Sequence, residues 1–279
     1  VTSDFALTRY LYIKQDVLAS LCMSILDKNT EQTAFWTCEL YYSGFETEVV
    51  EYLHNLYQEF FKSNNPRMES FIQKMKTRVF EGAHIAVTIA HNLATKPRKY
   101  TVHDFAIRNM DPEILKESYQ TETRVLVHIQ ENTVEKYKTK SIGDVSNRKF
   151  LEQVCLYETR KDVMNVFGSG HRKLDTKHMC EMHCSDKHWV YFASFSPIWM
   201  NRIQEHCGTI HDAEKTVIFQ NDDDLENFFK LYGYEPDEQP ILIQQRFMHV
   251  TKYKQLSMRE FCKLYDKKAV KSIRRCKKE

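Results

Sequence analysis

The twelve residues Val49–Phe60, VVEYLHNLYQEF, decide the fold class. Val49, Val50, Leu53, Leu56, Tyr57 and Phe60 recur at steps of three and four, so a helix gathers them on one side, whereas a half-buried strand would need strict alternation. The same spacing extends upstream. Asp16 stands ahead of Val17, Leu18, Leu21, Cys22 and Ile25, and is expected to cap a helix that carries them. A second helix is expected from about Glu31 to Ser43, with Trp36 and Leu40 inward, ended by Gly44. Downstream, Asn65-Pro66 reads as an N-cap and a first-turn proline for a helix burying Met68, Phe71, Ile72, Met75 and Val79. Ile85, Ala86, Ile89, Ala90 and Leu93 predict a fifth helix.

Composition agrees with a helical chain. Of 279 residues only 7 are Gly and 6 are Pro, against usual shares of about 7% and about 5%. Glycine supplies the positive φ of tight turns and phosphate-cradling loops, so this scarcity weighs against all-β and glycine-loop nucleotide folds. Hydrophobic residues at 42% and charged residues at 28% suit a chain with a packed core. The chain has no membrane-length apolar run, and VTSDFALTRY lacks the basic start and apolar core of a secretory leader. The eight cysteines are scattered rather than densely spaced, which predicts reduced thiols in a cytosolic type of compartment.

Beyond the first hundred residues the pattern changes. Asp111-Pro112-Glu113 is expected to open a short helix. Thr123–Gln130 alternates Val125, Val127 and Ile129 against Leu126, His128 and Gln130, as a strand does. Glu135–Gly143 reads as a charged surface linker, and Ser146–Val166 as helical. Trp189–Ala193 and Thr216–Phe219 read as strands. Ser196-Pro197 is expected to start a helix that Gly208 closes, and the acids after Asn221 to start another, where they complement the helix dipole. The expected architecture is mainly α. Antiparallel helical hairpins stack in a HEAT-like manner over residues 1–135, a mixed α+β part covers 145–251, and a basic C-terminal helix covers 252–279. No residue pattern recurs with a fixed repeat period.

Three further stretches carry a resemblance: LTRYLYIKQDVL (7–18), FWTCELYYSGFE (35–46) and NNPRMESFI (64–72). With SFSPIW (194–199) and DDDLENFFKLYGYEPDEQP (222–240), the chain resembles an uncharacterised protein family of giant nucleocytoplasmic large DNA viruses, mimivirus-like. The resemblance implies a viral protein of the host cytoplasm or the virion, and it carries no catalytic residue with it.

Candidate chemistry is sparse. His178–His188, HMCEMHCSDKH, would place Cys180, Cys184 and His188 on one helix face as zinc ligands, with His206, Cys207 or His211 as a distant fourth. The spacing is not the commoner C-x2-C, and the alternative is that the thiols pack as small apolar groups. Cys207 beside His206 suggests a nucleophile, but neighbours on a helix point about 100° apart, which keeps the imidazole off the thiol. Phosphate-loop, dinucleotide, nucleophile-elbow and zinc-protease motifs do not occur. Asp222, Asp223 and Asp224 suit a divalent cation or, more simply, a helix start.

Charge supplies the firmest signal. Residues 252–279 hold eleven Lys and Arg against three Asp and Glu, a net of +8, so residues 1–251 carry −6 of the overall +2. Ser257-Met-Arg-Glu260 is a capping box. Beyond it, Met258, Cys262, Tyr265, Ala269, Ile273 and Cys276 form an apolar stripe. Arg259, Lys263, Lys267 and Lys271 run along its flank, and Arg274, Arg275 and Lys278 continue the row. Such a row neutralises RNA or DNA phosphates or meets an acidic protein surface; its plain alternative is a solvated helix face. Tyr41-Tyr42 and Phe60-Phe61 set adjacent rings on different helix faces, so one of each pair is expected outward, as a contact or as the rim of the core. The sequence therefore favours a non-enzymatic interaction or scaffold protein without a cofactor. A nucleic-acid accessory factor comes second and a Cys/His or zinc enzyme third.

Overall fold

The structure is a computed structural model that describes residues 6–62, 64–96, 125–138 and 189–232. Five helices built on the expected stripes make its main body. They are α1 (Lys14–Leu26), α2 (Thr30–Tyr41), α3 (Glu46–Phe60), α4 (Met68–Lys76) and α5 (Ala83–Thr95). In α3 the buried residues are Val49, Val50, Leu53, Leu56, Tyr57 and Phe60, the six that the spacing places on one side. α2 starts where the Asn29 side chain accepts the Gln32 N–H at 3.1 Å. α5 is buried along most of its length, which fits its place inside the bundle, packed chiefly on α2 and also on α1 and α3. Truncating Leu53 or Ile89, both wholly buried, to Ala would cost about 2–5 kcal/mol by leaving a cavity.

The second part adds α6 (Glu131–Val134), α7 (Trp189–Ala193), α8 (Pro197–Glu205) and α9 (Asp222–Tyr232). Between α8 and α9 lies an antiparallel pair, β1 (Gly208–His211) and β2 (Thr216–Phe219), with Gly208 opposite Phe219 and His211 opposite Thr216. The described chain is thus mainly helical with one small two-stranded sheet. Val190, Phe192, Trp199, Ile203 and Phe228 join the same buried cluster as the five-helix body. The Trp199 Nε1–H donates to the Thr8 carbonyl at 2.9 Å, and the Ile198 N–H to the Ser43 carbonyl at 3.3 Å. At that seam Gly44 has φ +88°, and a Cβ there would lie 2.5 Å from Pro197 Cβ. Both the backbone and the space require glycine.

Several expectations change. Asn65 caps no helix start: its side-chain amide turns back to the Phe61 carbonyl at 3.1 Å, and α4 begins at Met68. Trp189–Ala193 is a short helix, not a strand. Gly208 does not close α8. Cys207 takes the positive φ there (55°), and Gly208 opens β1, where a Cβ would lie 2.6 Å from the Ile203 side chain. Phe60 and Phe61 are both buried, whereas Phe80 is exposed, at 77%. Residues 125–130 form no strand among the described residues. Leu126 and Ile129, three apart, face the core, in place of the expected alternation.

Candidate functional site

The residues singled out as zinc ligands, Cys180, Cys184 and His188, lie outside the described residues, as does the basic segment from Arg259 to Lys278. The helices expected after Asp111 and from Ser146 also lie outside them. His206 and Cys207 are described and do not form a pair. The His206 ring packs on Phe228 and Tyr232 at 5.7 and 5.9 Å, with Nδ1 3.1 Å from the Arg202 carbonyl, while Cys207 is an exposed thiol past the helix end. Asp222–Asp224 sit in the first turn of α9, and the Asn221 side chain accepts the Asp224 N–H at 2.8 Å, a helix start in the usual sense. Among the described residues no group of three or more His, Cys, Asp and Glu converges as metal ligands do.

Polar side chains buried inside the described body instead hold chain to chain. The segment Ala6–Tyr12 folds back on itself through Leu7 and Ile13 and is almost wholly buried. Within it the Arg9 Nε–H donates to Glu39 of α2 at 2.9 Å, and Nη2 donates to the Tyr137 carbonyl at 2.7 Å. The other Glu39 oxygen accepts the Tyr10 N–H at 3.1 Å, and the Ser43 hydroxyl accepts the Arg9 N–H at 2.8 Å. The Tyr10 and Tyr42 rings cover the guanidinium at 4.5 and 4.8 Å. Beside this pair the Cys38 thiol is pushed up to about 12, chiefly by burial, and so stays protonated and unreactive.

A second polar group joins α3 to α4. Glu69 accepts from Gln58 at 2.6 Å and from Gln73 at 3.1 Å, and lies 2.9 Å from His54 Nε2. Hydrogen bonds from Gln73, His54 and Gln58 bring its carboxyl down to about 2.

The third group is on α5. Asn92 and Thr88, each 1% exposed, stand one turn apart on a helix whose other buried residues are Ile, Val, Leu and Ala. Asn92 Oδ1 accepts the Val127 N–H at 2.9 Å, and Nδ2 donates to the Val127 carbonyl at 2.6 Å. Thr88 Oγ1 accepts the Ile129 N–H at 2.9 Å. The spacing has a simple origin. Four helix residues rise about 6 Å, so polar side chains at i and i+4 reach residues two apart on a segment that runs against the helix direction. The Val127 N–H and C=O and the Ile129 N–H are thus met by side chains of α5 rather than by a neighbouring strand.

Sequence spacing did not single out Arg9, Glu39, Thr88 or Asn92. One signal was present: Thr88 and Asn92 fall at i and i+4 inside an apolar stripe, and Glu39 falls three residues after Trp36 on an inward face. Searches find no family model that matches the chain, and no match among curated proteins or solved structures.

Proposed function

We propose that the chain is a non-enzymatic interaction or scaffold protein, viral in origin, that acts through its helical surfaces in the host cytoplasm or the virion. On this reading its helices stack as HEAT-like antiparallel hairpins and present their outer faces to protein partners. The observation that carries the reading is α5, where two buried side chains hold an extended segment by its peptide groups, a mode suited to receiving chains. The resemblance to giant-virus proteins supports the setting. Affinity purification of the tagged chain from its source cells, washed at high salt, tests it. A stoichiometric protein partner is the expected result, and a chain that purifies alone as a monomer overturns the proposal.

The charge of residues 252–279 favours a second reading, a nucleic-acid accessory factor. It requires binding to RNA or DNA that falls steeply with salt, and falls again when Arg259, Lys263, Lys267 and Lys271 become Ala. Binding unchanged by either rejects it.

A further inference from the structure

We draw no further inference here: the strongest candidate, the surface patch at the start of α9 where Asp222, Asp223 and Glu226 stand exposed beside Leu225, is an acidic cluster at a helix start, and nothing in the structure shows what covers it.

Discussion

Arg9 and Glu39 are both almost fully buried, with side-chain exposures of 5% and 0%. Two charges leave water at high cost, which their mutual attraction and their hydrogen bonds to the Tyr10 N–H and the Tyr137 carbonyl offset. The consequence is an asymmetry. Arg9→Met or Glu39→Gln alone strands the other partner and should lower stability by about 3–5 kcal/mol. The double change Arg9→Met with Glu39→Met should lie closer to wild type than either. Urea unfolding of wild type, Arg9→Met, Glu39→Met and the double variant measures the coupling, and additive losses would show that the two do not act as a unit. Sequence reading passed over both residues. A Glu inside an apolar face is ambiguous until its counter-charge is located, and here that lies 30 residues away in a non-helical segment.

At the scale of elements, α3 and α4 are joined by apolar stripes and also by Glu69. Its carboxyl, brought from the ordinary 4.5 down to about 2 by Gln73, His54 and Gln58, is ionised more readily in the folded chain than in the unfolded one. The contribution is therefore fully present above about 4.5 and is lost as pH falls through that value toward about 2. Melting temperatures of wild type and Glu69→Gln, followed from neutral pH downward, should differ most near neutrality and converge across that window. A constant gap would rule out the ionised carboxylate as the source. The α4 start was misplaced for a related reason. Asn65 has the right residue type for an N-cap, but the Phe61 carbonyl at the end of α3 lies within its reach and takes its amide. Capping side chains choose between neighbouring helix ends by geometry, which residue type alone does not express.

For the molecule as a whole, the C-terminal elements share one hydrophobic core with the five-helix body, through Trp199, Ile203 and Phe228. A shared core predicts a single cooperative transition. In chains that keep Trp36 alone or Trp199 alone, with the other tryptophans changed to Phe, the urea midpoint by fluorescence should coincide with that by far-UV circular dichroism. Separate midpoints would mean that the two parts unfold independently.

The helices were legible because their information is local. The six residues that α3 buries, the Ser196-Pro197 start of α8 and the acids opening α9 follow from spacings of three and four residues and from end chemistry, all within a turn or two. β2 was legible in the same way, from its run of strand-favouring residues. The partners of the buried polar groups were not. Arg9 meets Glu39, Asn92 meets Val127 across 35 residues, and Trp199 meets Thr8 across 191. Nor was it legible that 125–130 would lie along a helix rather than in a sheet. An extended backbone must satisfy its N–H and C=O groups somewhere, and sequence spacing specifies that need without specifying the donor. Periodicity determined what each stretch becomes; only packing decided which buried donors and acceptors meet, because a hydrogen bond acts over about 3 Å between groups that chain order leaves far apart.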